Sequence, residues 1–206
     1  MNPQTIASII NNLWLFCRWT QVPCISPNTE LFLQTILHTY KPKRVLEIGT
    51  AYGYGMLTMA NILSEWWWSI IWCERAYPNR VEISKLLSLC RQYGLENIHC
   101  NYGTFLRLDP SLRGDGNQTY SNEATHGTTF DFVFIDAQKA EYPLYVDFIR
   151  EHNLIDNNSI LVFDDVIKYA ERMSWLETQL TQLGYEIQKH HLDEDDGVII
   201  ARMRNS

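Results

Sequence analysis

Short apolar runs alternate along the chain with stretches whose apolar residues recur at helical spacing, the pattern of parallel strands joined by returning helices. A helical opening leads to the strand Arg44-Val45-Leu46-Glu47-Ile48, and a glycine-rich turn then precedes a helix from Met56 to Leu63. A second strand, Ser69-Ile70-Ile71-Trp72-Cys73, is followed by a helix from Asn79 to Tyr93, in which Val81, Ile83, Leu86, Leu87 and Cys90 share a face; Gly94 stands at its C-cap. Further strands are expected at Asn97-Ile98-His99-Cys100, from Phe130 to Ile135, from Ser159 to Phe163, and as a late pair from Tyr185 to Lys189 and from Val198 to Arg202. The expectation is a seven-stranded, mostly parallel α/β sheet. The polar stretch from Asp109 to Thr129 is rich in Gly, Ser, Asn and Thr and lacks periodicity, so it reads as a surface loop within one domain. Residues 1–40 form a helical segment and residues 41–206 the α/β core.

Composition narrows the class. With 46% hydrophobic and 20% charged residues among 206, the chain carries enough apolar surface for a packed core, which sets aside disordered and collagen-like classes. The longest apolar stretch, Trp66 to Cys73, falls far short of the roughly 20 residues that cross a bilayer. Leu13 to Cys17 is bracketed by Asn11, Asn12 and Arg18 with no basic start, which argues against a signal peptide and for a cytoplasmic address. Seventeen Lys and Arg against 24 Asp and Glu, a net charge of −7, weigh against a broad nucleic-acid surface. The five cysteines Cys17, Cys24, Cys73, Cys90 and Cys100 are odd in number and contain no C-x-x-C, so they read as buried free thiols.

The strongest local signal is Glu47-Ile48-Gly49-Thr50-Ala51-Tyr52-Gly53-Tyr54-Gly55. A glycine turn between a buried strand and a helix lets a ligand approach the backbone. Its G-x-x-x-G-x-G spacing is not the G-x-G-x-x-G of a dinucleotide fingerprint, so a nicotinamide cofactor is the weaker choice. Glu74, 25 residues beyond Gly49, ends the next strand, where an acidic side chain can accept both ribose hydroxyls. Asp136 and the pair Asp164-Asp165 end two later strands. Either they cap the following helices, or they converge and need a cation, for which an all-oxygen set suits Mg²⁺ first, with Mn²⁺ or Ca²⁺ as alternatives.

In order and spacing, Leu46 to Gly55, Phe130 to Lys139 and Asp164-Asp165-Val166 together resemble the S-adenosylmethionine-dependent, metal-dependent O-methyltransferases of the catechol and caffeoyl-CoA type. The resemblance runs from about Ile25 to Met203 and takes in Ile25-Ser26-Pro27 and Asp196-Gly197-Val198-Ile199-Ile200. It implies a Rossmann-like class I methyltransferase fold with helices on both faces of the sheet. It further implies that Glu47, Gly49, Thr50, Ala51, Tyr52, Gly53, Tyr54 and Gly55 hold the cofactor's methionine and ribose parts, with Glu74 on the ribose hydroxyls and Thr104 on the adenine side. Asp136, Asp164 and Asp165 would be metal ligands, Asp136 also lying near the cofactor, and Lys139 would assist deprotonation of the attacking hydroxyl, which calls for a depressed lysine pKa.

The chain departs from that pattern at Asp165, where Asn is typical, at Gln138, where Asp is common, and at Gly103-Thr104-Phe105, where an acidic residue is common. The expected activity is methyl transfer from S-adenosylmethionine to a metal-bound hydroxyl of a small catechol-like acceptor, by a protein that pairs as a homodimer. Two rivals remain: a tRNA wobble hydroxyuridine methyltransferase, which the net charge disfavours, and a catalytically silent cofactor-binding module. The aromatic cluster Trp66-Trp67-Trp68 reads as packing or as a partner surface, Asn12 to Trp19 as a lid or dimer arm, and His190-His191 as part of a solvated loop in preference to a second metal site.

Overall fold

The computed structural model describes residues 3–64, 69–74, 80–92, 94–102, 105 and 129–204. The strands are β1 (Arg44–Ile48), β2 (Ser69–Glu74), β3 (Ile98–Tyr102), β4 (Phe132–Ile135), β5 (Ile160–Phe163), β6 (Tyr185–His191) and β7 (Gly197–Met203). The helices are α1 (Pro3–Thr20), α2 (Pro27–Tyr40), α3 (Tyr54–Leu63), α4 (Arg80–Gln92), α5 (Tyr142–Glu151) and α6 (Ser174–Gln182). Trp66 to Trp68, Thr104 and residues 109–128 of the polar stretch lie outside the described residues.

Strand order is β3-β2-β1-β4-β5-β7-β6, parallel except that β7 runs antiparallel to both β5 and β6. Period-2 alternation sorts the strands' side chains into two layers. Val45, Phe132, Phe134, Ile160, Val162, Val198 and Ile200 face a core built with α1 to α4. Leu46, Ile48, Val133, Ile135, Leu161, Phe163, Ile199 and Ala201 face a second core built with α5 and α6. Helices therefore cover both faces, and because β4 and β5 are buried on both sides they read as continuous apolar runs, as does β1 apart from Arg44 and the buried Glu47. No described helix is long and apolar enough to cross a membrane.

Two boundaries differ from the sequence pattern for identifiable reasons. β4 begins at Phe132 because Phe130 N donates to Leu154 O at 2.7 Å and Asp131 N to Arg44 O at 2.9 Å, so these residues are spent on cross-links before the ladder starts. His190-His191 is not loop. Both residues pair within the sheet, opposite Val198 and Gly197, and the His190 ring lies 5.4 Å from that of Phe32.

Asp131 sets the register at the amino end of β1: its carboxylate accepts from Lys43 N at 2.8 Å and Arg44 N at 3.0 Å. Asp131→Ala leaves both amides to water, and a loss of about 1–2 kcal/mol is expected in urea denaturation.

Candidate active site

β1 lies where strand order turns back, flanked by β2 on one side and β4 on the other, and open α/β sheets present a ligand crevice at the carboxyl ends of such strands. The chain leaves β1 through Gly49 at φ +87°. Asp136 N donates to Ile48 O at 3.0 Å, and a Cβ at Gly49 would strike the Asp136 carbonyl and lie 2.7 Å from Ala137 Cα. Gly49 is thus required by the docking of the turn on the end of β4. Gly55 lies against Glu47, whose buried carboxylate would have to shift to admit a Cβ there. Sequence reasoning attributed this bareness to ligand access; at these two positions the protein's own backbone and side chain take the room. Ala51 (φ +48°) and Gly53 (φ +84°) complete the reversal, with Gly53 N donating to Thr50 O at 2.8 Å and Gly53 capping α3. Thr50 Oγ1 is buried with no hydrogen-bond partner among the described residues, so it is free to engage a ligand held in the turn.

The first turn of α2 ties this loop to the rest of the edge. Ser26 caps the helix, accepting from Thr29 N at 2.9 Å, and Pro27 occupies the first turn. The Ser26 hydroxyl also donates to the Asp196 carboxylate from the loop between β6 and β7. The fully buried Thr29 hydroxyl stands 3.3 Å from Asp164 Oδ1 and 3.3 Å from Asp196 Oδ1, with one proton to give to either. Tyr54, at the start of α3, donates to Glu30 Oε2 at 2.6 Å; burial first and the Glu30 carboxylate next push its phenol well above the usual range. Thr29, Glu30 and Asp196 were not singled out as site residues from sequence. The Ser-Pro helix start and the acidic first turn were the visible signal for α2, but which partners it meets depends on contacts across more than 100 residues.

Asp136 follows β4, and Asp164-Asp165 follow β5, the neighbouring parallel strand. Between them lies Lys139, whose ammonium donates to Asp136 Oδ1 at 2.7 Å and to Tyr142 Oη at 3.0 Å and stands 2.9 Å from Asp165 Oδ2. The buried Tyr142 hydroxyl has Ile135 O at 3.0 Å and Asp164 O at 3.2 Å as acceptors, so it bridges the ends of β4 and β5. Asp165 sits at φ +60°, a left-handed conformation that Asp and Asn tolerate better than most residues. Burial pulls the Lys139 amine down, but Asp136, Tyr142 and Asp165 outweigh it and hold the ammonium well above the ordinary lysine value. In this arrangement the ammonium is held between two carboxylates and a phenol. Burial, then the charges of Asp136 and Asp165, raise Asp164 well above the usual carboxylate range.

The donor chemistry of Asp136, Asp164 and Asp165 suits a hard divalent ion. Among the described residues, however, no three such groups stand close enough to hold one, and the Lys139 ammonium supplies the countercharge that the sequence reading assigned to metal. Glu74 ends β2, one residue past the Ile48–Cys73 pairing; its side chain, like Thr104, lies outside the described residues.

A doubly wound sheet with a glycine turn at its switch point and an acidic edge beside it defines a ligand-binding α/β enzyme scaffold. The chain belongs to the O-methyltransferase family, whose model matches residues 17–201. It is 32% identical over 132 residues to the O-methyltransferase ankF of Aspergillus thermomutatus, covering 62% of this chain and 47% of that protein. It is 24% identical over 141 residues to the O-methyltransferase hkm8 of Aspergillus hancockii, covering 68% and 49%. The chain thus spans about half the length of the curated relatives it matches. Among solved structures, the S-adenosylhomocysteine-bound methyltransferase PaMTH1 of Podospora anserina superposes with a TM-score of 0.70 at 20% identity, over 95% of this chain and 88% of that one. The O-methyltransferase TomG of Streptomyces achromogenes, in complex with S-adenosylmethionine, superposes with a TM-score of 0.71 at 18% identity, over 95% and 89%. These likenesses establish the Rossmann-like methyltransferase fold.

Two outcomes are expected. In Gly49→Ala the left-handed backbone and the contact with Asp136 and Ala137 cost about 2 kcal/mol or more, read as a lowered denaturation midpoint. Asp164 has a folded pKa above its ordinary 3.8, so its favourable contribution exists below about pH 3.8 and is lost as pH rises through the folded value. Asp164→Asn, assayed without added metal, therefore melts above the parent protein at pH 7, and the gap closes below pH 4. A lower melting temperature at pH 7 would show that the carboxylate stabilises the edge instead.

Proposed function

We propose that the protein transfers the methyl group of S-adenosylmethionine to a hydroxyl of a small, catechol-like acceptor with the help of a divalent cation, Mg²⁺ first among candidates. The observation that carries this reading is the packing of the glycine turn directly on Asp136 and Ala137, which sets a donor held in the turn beside the Asp136, Lys139 and Asp165 edge. The Thr50 hydroxyl, buried without a partner among the described residues, would offer the donor a hydrogen bond, and Glu47, the turn from Gly49 to Gly55 and, by the family resemblance, Glu74 would take its methionine and ribose parts. The Asp136 carboxylate would attract the donor's positive sulfonium.

Methyl transfer asks chiefly for alignment: the attacking oxygen, the methyl carbon and the sulfur must lie in line. Asp136, Asp164 and Asp165 are the residues that would hold a hard divalent ion, once drawn closer together than they stand here, and such an ion would supply the Lewis acidity that lowers the pKa of the acceptor hydroxyl. Lys139, in contact with Asp136 and Asp165, would assist that deprotonation, by accepting the proton or by steadying the negative oxygen as the proton leaves. Thr29 and Tyr142 hold Asp164 in place from opposite elements, Thr29 at its carboxylate and Tyr142 at its carbonyl.

The test is transfer of labelled methyl from S-adenosylmethionine to a panel of catechols and to bulk tRNA, with Mg²⁺ and again with EDTA. Transfer to catechols that EDTA abolishes is expected. Transfer that survives EDTA would remove the cation and leave Lys139 as the sole countercharge, and methylation of tRNA alone would replace the acceptor class. Binding of S-adenosylmethionine without turnover on any acceptor would point to the silent module.

A further inference from the structure

The segment that follows Asp165 carries more positive charge than the acidic edge uses. Val166 N donates to Gly197 O at 3.0 Å, Tyr169 N donates to Asp165 O at 3.2 Å, and Met173 is buried, so residues 166–173 are pinned along their length. Gly197 belongs to that pinning, since a Cβ there would strike Ile167 Cγ1. Tyr169 is half-buried against the core built with α5 and α6. Its ring centroid lies 5.9 Å from the Lys139 ammonium, 5.4 Å from that of Lys168 and 5.6 Å from the Arg172 guanidinium carbon. Three cations thus gather round one ring on the Asp165 side of the edge. Lys139 spends its charge on Asp136 and Asp165, whereas Lys168 and Arg172 are exposed and form no ion pair among the described residues. Glu171, between them in sequence, pairs with neither.

We infer that Lys168, Tyr169 and Arg172 form an anion subsite beside the acceptor hydroxyls, and that the acceptor is a catechol bearing a carboxylate. The inference rests on the methyl-transfer reading and narrows its acceptor class. Like charges gathered at one ring repel one another, and a bound anion relieves that repulsion. The planar guanidinium of Arg172 matches the two oxygens of a carboxylate, the Lys168 ammonium adds a second charge, and the Tyr169 ring that holds both cations offers an aromatic acceptor an apolar surface. Placement agrees with this division of roles. The glycine turn packs on Asp136 and Ala137 after β4, whereas residues 166–173 lead away from Asp165 after β5, so the donor turn and the anion subsite flank the Lys139 edge from different strands. With a net charge of −7 the protein has no general attraction for an anion, so the selectivity must come from these two local cations.

The test measures binding of protocatechuate, a catechol with one ring carboxylate, and of its uncharged methyl ester by equilibrium dialysis against the full chain with S-adenosylhomocysteine and Mg²⁺. The parent protein is expected to bind the acid roughly tenfold more tightly than the ester, an advantage that shrinks as NaCl is raised. The double variant Lys168→Ala/Arg172→Ala is expected to lose that advantage and to bind the ester as the parent does. Both positions are exposed, so its melting temperature is expected to match the parent's. Lys85→Ala removes an exposed charge from α4, which packs on the other core, and is expected to keep the preference for the acid. Equal affinity of the parent for acid and ester, a double variant that still prefers the acid, or a double variant that loses both compounds alike would each overturn the anion subsite. Labelled-methyl transfer to the same two compounds reads the underlying activity separately. Transfer without preference for the acid ends the subsite alone, whereas binding of neither compound and transfer to neither end the subsite and the catechol reading together.

Discussion

Two neighbouring parallel strands deliver three carboxylates to one edge of the sheet, and that charge must be compensated wherever it is buried. Here a single lysine does so: the Lys139 ammonium lies against Asp136, Asp165 and the Tyr142 hydroxyl while Tyr142 reaches the backbone ends of both β4 and β5. Without it, Asp136 and Asp165 would face the buried Asp164 with no cation in contact. The same bonds fix where the turn after each strand begins, so electrostatics and backbone placement at this edge are one problem with one solution.

Around that centre the remaining elements lean on one another. The glycine turn can pack on Asp136 only because residue 49 has no side chain, and the Glu47 carboxylate takes the room beside residue 55 at the start of α3. Helix α2 then closes the edge through Ser26, Thr29 and Glu30, each reaching a different element: the loop before β7, the end of β5, and the start of α3. For the proposed methyl transfer such shared walls matter, since the rate of a single displacement depends on holding oxygen, carbon and sulfur in line.

The fold was largely legible. β1, β2, β5 and the helices after the first two strands lie within a residue or so of their apolar patterns, because strands buried on both faces and helices buried on one leave strong periodic marks. The His190-His191 pair was misplaced into a loop because an edge strand exposed along much of its length carries no such mark. Among site residues, Glu47, Gly49, Asp136, Asp164, Asp165 and Lys139 stood out as glycine or charge at strand ends. Thr29, Glu30 and Tyr142 did not, since a threonine, a glutamate and a tyrosine in helical segments are unremarkable until their partners are known.

By itself the sequence determined the alternation of strands and helices, the glycine turn after the first strand and the carboxylates after later ones, because each is a local matter of periodicity, backbone freedom or charge at a boundary. Only the tertiary structure decided what those residues touch. It assigned the bare positions at Gly49 and Gly55 to Asp136 and Glu47, set the Lys139 ammonium against Asp136 and Asp165, and brought the Thr29 hydroxyl to Asp164 and Asp196. The physical reason is common to all three: a side chain's protonation, room and partner are set by groups distant along the chain, and their approach is a property of the packed whole.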